Sequence, residues 1–177
     1  MSRQYFVAPV PPFHIADGTA VTAAALADVS PTPNVVIPGG TLELGSRMEF
    51  AAFGRFTATA TPGTVVVGIY LAASAAAIAS GQALAITSAI VPVASSTNRT
   101  WRLEGNCQVR AVGTTGSIIG ALEVSNITAN GTDMAPATAP TAVTYDTTLP
   151  LTVRLGITPS VATGSWQCHY LGVRLVN

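Results

Sequence analysis

The sequence predicts an all-β protein, an eight-stranded antiparallel, jelly-roll-like sandwich with a proline-rich, extended N-terminal arm. Three observations predict this fold class. Residues 101–111 alternate without a break between apolar or small side chains and polar or charged ones, which is the period of a strand with one buried face. Seven further strand-like segments lie between Arg47 and Val176 and are separated by turn residues. No long segment indicates a helix, so α/β folds are not expected.

Residues 1–40 are predicted to form the arm, and residues 41–177 the sandwich domain. Prolines exclude regular strand ladders, and six of them punctuate the arm at Pro9, Pro11, Pro12, Pro31, Pro33 and Pro38. The alanine-rich stretch 19–28 is compatible with a short helix of two turns. The arm can lie on its own sandwich, on a neighbouring subunit or on a larger assembly. Because it can bury little surface locally, we expect it to be ordered only against another chain.

The sandwich is expected to follow a regular order of strands and turns. Thr61-Pro-Gly-Thr and Gly113-Thr-Thr-Gly are turn signals. Residues 72–80 are predicted as either a helix or a connection across the sandwich edge, and residues 126–140 as a long polar loop. The predicted strands are residues 47–59, 65–71, 83–93, 101–111, 117–125, 142–145, 149–157 and 165–176.

The last predicted strand has apolar groups on both faces. Trp166, Cys168 and Tyr170 fall on one face, and Leu171 and Val173 on the other. A strand of this kind is expected in the middle of a sheet, sandwiched between layers. Together with the low charge of the chain, it predicts a large interface between copies of the protein.

The charge of the chain is unusually low. Only 9% of the residues are charged, the formal net charge is zero, and all eight basic residues are arginine. A soluble monomer normally has a charged, mixed surface, so much of this surface is expected to contact copies of the chain or a partner. The alternative is a Thr/Ser/Asn-covered surface that is soluble without charge. The absence of a basic run or arginine cluster argues against nucleic acid as a partner.

Neither a membrane span nor a secretory signal is predicted. Residues 56–98 carry no charge, but the apolar run around 65–79 is short and half of it is Ala or Gly. The apolar stretch within residues 1–10 is interrupted by proline.

No catalytic, cofactor-binding or metal-binding residue is predicted, and we expect a non-enzymatic protein without cofactors. His14 lies in the arm, and His169 is interpreted as a core or interface histidine. Two cysteines are too few for a zinc site. Cys107 and Cys168 are therefore interpreted as buried free thiols, with a disulfide as the alternative.

The acidic residues are spread over several strands. Glu43, Glu49, Glu104 and Glu123 have the phase of surface residues. They are expected to be solvated or to pair across strands with nearby arginines, the candidates being Arg47, Arg102 and Arg110.

Several segments together resemble small virion structural proteins of tailed bacteriophages. They are Pro38-Gly-Gly-Thr-Leu-Glu-Leu-Gly followed by a strand with Gly54, then Thr61-Pro-Gly-Thr-Val-Val-Val-Gly, and finally Trp101-Arg-Leu-Glu leading to the Gly113-Thr-Thr-Gly hairpin. The resemblance covers residues 30–126. It implies a jelly-roll trimer that decorates capsids or forms head fibres, collars or tail attachments, without catalytic residues.

The resemblance implies a capsid decoration protein, a homotrimer docked on the head through its arm at the outer surface of the virion. Its partners would be itself and the major capsid protein or other virion proteins. The alternative is a collar, tail or fibre component of the same fold that binds a host glycan. A hypothesis from another class is a glycan-binding sandwich or hydrolase accessory domain, which requires an exposed aromatic platform. Both tryptophans, Trp101 and Trp166, instead have core phase.

Overall fold

A computed structural model describes residues 14–73, 78, 82–128, 135–136 and 141–176. Within these residues the chain forms two antiparallel sheets. The five-stranded sheet contains β1 (Ala27–Asp28), β2 (Val35–Ile37), β4 (Val65–Ala73), β5 (Gln82–Ile86) and β10 (Leu151–Pro159). The six-stranded sheet contains β3 (Arg47–Ala58), β6 (Ser96–Ala111), β7 (Gly116–Ser125), β8 (Ala135–Pro136), β9 (Val143–Tyr145) and β11 (Gly164–Val176).

The strand order confirms the predicted jelly-roll-like sandwich. The order is β1-β10-β4-β5 in one sheet, with β2 also on β10, and β11-β3-β6-β7-β8 in the other, with β9 also on β7. Each of the eight strands predicted after residue 46 is present. The additional strands, β1, β2 and β8, have only two or three residues each.

The core lies between the two sheets and follows from the alternation of side chains. In β6, Trp101, Leu103, Cys107 and Val109 are buried, while the polar residues between them are exposed. The facing layer comes mainly from β4 and β10, whose inward residues are Val65, Val67, Ile69, Leu71, Leu151, Val153, Leu155 and Ile157. Full burial of each such side chain stabilises the fold by about 1.5–3 kcal/mol.

The described part of the arm lies on its own sandwich. The Gly18 and Val21 amides donate to the carbonyls of Cys168 and Trp166, each at 2.8 Å. β1 and β2 then pair with β10. The expectation that the arm is ordered only against another chain is therefore wrong for residues 14–37. The proposed helix at 19–28 is also wrong, because the edges of the two sheets satisfy the backbone groups of this stretch. Residues 1–13 lie outside the described residues.

β11 differs from its predicted placement as a central strand. It lies at one side of the six-stranded sheet, next to β3, and contains a bulge between Cys168 and Tyr170. A bulge adds one residue and shifts the side-chain phase. Trp166, Cys168 and Leu171 consequently all face the core, while Tyr170 faces outward beside Phe53. Apolar residues thus occur on both predicted faces of this strand because the bulge changes which side chains point toward the core, and not because both faces are buried.

Gly54 is a point of close approach in the core. It lies opposite both Trp101 and Cys168 in the sheet. A Cβ atom at this position would lie 1.9 Å from the Gln167 carbonyl oxygen and 2.8 Å from Trp101 Cζ2. The carbonyl belongs to a paired strand and cannot move without disturbing the ladder.

We expect Gly54→Ala to lower the free energy of unfolding by about 3 kcal/mol, because the sheet must distort to admit the methyl group. Urea unfolding measures this change. The matched control is Gly105→Ala on β6, where the nearest atoms to a new Cβ lie at 3.0 Å and small shifts relieve the contact. Equal losses for the two variants would contradict this account of Gly54.

Candidate functional site

The outer face of the six-stranded sheet contains a depression of about 570 Å³, here called the outer depression. Its floor is made of small residues on three strands, Gly172 of β11, Ala51 of β3 and Ala121 of β7. The sheet register places Gly172 directly opposite Ala51. The polar residues that line the depression are Arg47, Glu49, Glu104, Asn106, Glu123 and Arg174.

The strand period explains why the outer depression is polar. Residues of β3 and β6 alternate, so the apolar set fills the core and the intervening set reaches the outer face. On β6 the outward set is charged or amide-bearing, and Glu104 and Asn106 lie between the floor residues of the neighbouring strands β3 and β7. The result is an open surface with many hydrogen-bond donors and acceptors.

Ion pairs organise most of the charges around the outer depression. Glu49 contacts Arg174 Nη2 at 2.5 Å and Arg47 Nη2 at 3.5 Å. Glu104 contacts Arg102 Nη2, also at 2.5 Å. Glu49 pairs with Arg47, and Glu104 with Arg102, within one strand and not across strands as expected. The cross-strand partner of Glu49 is Arg174, which was not among the candidates. Exposed pairs of this kind contribute little to stability, but they hold the polar atoms in defined positions.

Glu123 differs from the other carboxylates of the outer depression. It lies directly opposite Glu104 on the neighbouring strand and forms no ion pair with any described residue. Two like charges at opposed positions destabilise a sheet by a few tenths of a kcal/mol or more. Glu123 is exposed and remains available for hydrogen bonds from a bound molecule, whereas Glu104 already pairs with Arg102.

An aromatic pair lies at one end of the outer depression. Phe53 and Tyr170 stack with ring centroids 5.3 Å apart and ring planes 16° from parallel. Phe53 is 46% exposed, and the Tyr170 ring lies over Gly172, where an added Cβ would be 2.2 Å from the hydroxyl oxygen. The ring of His14 contacts Tyr170 edge-on at 5.9 Å. The pair is thus held in place by its neighbours.

The sequence interpretation missed this pair. Phe53 lies an even number of residues from Arg47 and Arg55 on the same strand, so the alternation of side chains could have placed it on the outer face with them. Tyr170 was assigned to the face of Trp166 because the bulge in β11 has no signature in a simple alternation. A partly exposed aromatic pair is therefore formed on the outer face without a tryptophan.

The two histidines lie outside the outer depression and hold the segment 14–21 on β11. His169 Nδ1 lies 2.8 Å from Asp17 Oδ2. His14 Nε2 lies 2.9 Å from the Leu171 carbonyl oxygen, and its Nδ1 lies 3.2 Å from that of Pro33. His169 is half-buried and pairs with the arm, so it is not a core residue. Its interpretation as an interface residue stays a prediction.

The cysteines and tryptophans lie in the core as predicted. Cys107 and Cys168 are free thiols and are almost completely buried. Burial raises the pKa of each thiol to about 12. Trp101 is fully buried, and Trp166 stacks on Phe56 with centroids 4.6 Å apart. None of these four side chains lines the outer depression.

No group of three or more His, Cys, Asp or Glu side chains among the described residues is arranged to hold a metal ion. No helix in the same part of the chain is long and apolar enough to cross a membrane.

Comparison with known proteins gave only distant structural similarity. No protein-family model matches the sequence, and no curated protein matches it. Lectin II from Ulex europaeus is 8% identical, with 90% of this chain and 98% of the lectin covered and a TM-score of 0.41. The CBM2 module of the evolved Dit of Lactobacillus casei BL23 phage J-1 is 10% identical, with 81% and 69% covered and a TM-score of 0.34. A legume lectin-like domain from Entamoeba histolytica is 8% identical, with 88% and 86% covered and a TM-score of 0.32.

Proposed function

We propose that this protein is a non-enzymatic, glycan-binding component of a tailed-phage virion, located in its collar, tail or fibre. The observation that carries the proposal is the Phe53–Tyr170 pair at one end of the outer depression. Assignment to a virion rests on the resemblance of residues 30–126 to small virion proteins.

A sugar ring has apolar C–H faces and a rim of hydroxyl groups. The apolar face packs on an aromatic ring, and the hydroxyls require donors and acceptors at fixed positions. Tyr170 lines the outer depression, and the exposed Phe53 stacked on it supplies the ring. Asn106 and Glu123 supply hydrogen-bond partners, and the floor at Ala51 leaves room for the sugar. Because the surface is open, it suits a glycan chain lying across the strands.

The arrangement of carboxylates favours binding over hydrolysis. A carboxyl acid–base pair needs environments that separate the two pKa values. Glu104 and Glu123 both project from the outer face of the sheet and are both exposed. No burial distinguishes one as the acid and the other as the base.

Tyr170→Ala is expected to weaken glycan binding at least tenfold, because it removes one ring of the pair and the support for the other. Binding is measured by glycan array and then by titration calorimetry with the best ligand. Ala51→Arg, which fills the floor of the outer depression, is expected to have a similar effect without removing an aromatic ring. The control is Val91→Ala, an exposed position remote from the depression.

These results separate binding from folding. Ala51→Arg and Val91→Ala should unfold at nearly the wild-type temperature, since both positions are exposed. Tyr170→Ala, at a half-buried position, should still fold but unfold at a somewhat lower temperature. The proposal fails if the wild-type protein binds no glycan, or if Tyr170→Ala and Ala51→Arg bind as well as Val91→Ala does.

A second candidate function, capsid decoration as a homotrimer on the head, is favoured by the low charge of the chain and its zero net charge. A surface of this composition suits contact with a protein lattice such as the major capsid protein. Imaging intact particles with a labelled copy of this protein distinguishes the two positions. Label over the whole head supports decoration, and label confined to the collar or tail supports the first proposal.

A further inference from the structure

One end of the sandwich is built from three loops that are tied to each other. They are the loop 38–46 before β3, the hairpin turn 111–116 between β6 and β7, and the loop 146–150 before β10. Thr147, which is buried, connects them. Its carbonyl accepts from the Gly40 amide at 2.9 Å, its amide donates to the Gly113 carbonyl at 3.0 Å, and its hydroxyl accepts from the Gly113 amide at 2.8 Å.

Each of these three loops exposes one large apolar side chain. Leu44 is 72% exposed, and Val112 and Leu149 are each 49% exposed. Single exposed apolar residues are ordinary. Three on loops that share hydrogen bonds form one surface, here called the apolar end. Since the loops are already ordered, little conformational entropy would be lost when this surface is covered.

Charges of both signs flank the apolar end. Glu43 precedes Leu44, Arg110 lies two residues before Val112, and Asp146 lies in the third loop. Glu43 and Arg110 are exposed and form no ion pair within the described chain. An apolar centre with a polar rim is the usual anatomy of a protein–protein interface. Because the rim carries both signs, it is complementary to a second copy of itself.

We propose that the apolar end is the interface through which copies of this chain associate. A partner of strong single charge does not fit a rim that carries both signs, whereas a second copy does. The zero net charge of the chain also removes long-range repulsion between copies. This inference places the interface at the apolar end and not on β11, most of whose large apolar side chains are in the core.

The apolar end leaves the outer depression open. Its three loops join the strand ends, whereas Ala51 and Ala121 lie within β3 and β7. Associated copies would therefore present several depressions at once, and linked sites bind multivalent ligands more tightly than single ones.

The test uses the full chain. Its mass in solution is measured by light scattering and sedimentation at protein concentrations from about 0.1 to about 100 µM, a range that spans common dissociation constants. The wild type is expected to associate. Leu149→Asp and Val112→Asp are each expected to raise the dissociation constant at least tenfold, and Arg110→Glu to raise it less. The matched control is Val91→Asp, an exposed apolar position, 61% accessible, near the opposite end of the sandwich beside the Val65–Ile90 bridge.

The proposal is wrong if the wild-type protein is still a monomer at about 100 µM, a concentration at which even weak association is detected. Val91→Asp dissociating the protein as strongly as Leu149→Asp would also overturn it. Because these positions are exposed, unfolding temperatures near the wild-type value are expected and show that the variants fold. Glycan binding by the dissociated variants separates this inference from the proposed function, since a single protomer retains its outer depression.

Discussion

Leu103→Asp is expected to leave the protein largely unfolded at 25 °C. Leu103 is fully buried on β6 and lies between Ala52 of β3 and Val124 of β7 in the sheet. The aspartate would have no polar partner in this layer. A buried, unpaired carboxyl group costs several kcal/mol, here about 5 kcal/mol with the lost apolar contacts included. That is comparable to the whole stability of a small domain.

Circular dichroism and urea unfolding measure this loss. The matched control is Gln108→Asp on the same strand, which places the same side chain on the exposed outer face. The control is expected to change the free energy of unfolding by no more than about 0.5 kcal/mol. A folded Leu103→Asp protein with wild-type unfolding would show that this face of β6 is not the core face.

Alkaline pH is expected to destabilise the protein strongly. Burial raises the pKa of Cys107 and of Cys168 from the ordinary value of 9.0 to about 12. Between these values the unfolded chain has released both thiol protons, while the folded chain retains them. The folded state therefore binds more protons, and the free energy of unfolding falls as the pH rises. The slope is roughly 1.4 kcal/mol per pH unit for each thiol.

Urea unfolding at pH values from about 8 to about 11 tests this prediction, because free thiols titrate in this range. Burial also raises the pKa of Tyr70 and of Tyr145, so part of the slope belongs to these phenols. The control is the Cys107→Ala, Cys168→Ala double variant, which is less stable at pH 8 but should lose stability with pH much less steeply. An unchanged slope in this variant would exclude the thiols as the cause.

Much of the sandwich could be predicted from the sequence because its strands alternate simply. β6 and β3 place an apolar residue at every second position, and their burial follows that pattern. The prediction for β11 was wrong because a single inserted residue changes which side chains face the core without changing the composition. The prediction for the arm was wrong for a different reason, since its partners on β10 and β11 are distant in sequence.

The candidate site was predicted less completely than the fold. The charged outward residues of β6 were recognised as surface residues, but their positions around a floor of small residues depend on how four strands align. Phe53 could have been identified from its parity with Arg55. Tyr170 could not, because its exposure follows from the bulge and from its stacking on Phe53. Register between strands, and not the pattern within one strand, decides what the outer face presents.

The pairing of residues 14–21 with β11 has a consequence for how the protein folds. During synthesis this segment is made well before its partners, Trp166 and Cys168, which lie on the last described strand. The contact closes a loop that contains nearly the whole described chain, and such non-local closure slows folding. We therefore expect this segment to dock only after β11 has been made. The same segment then covers the backbone groups of a strand edge on which nascent copies would otherwise aggregate.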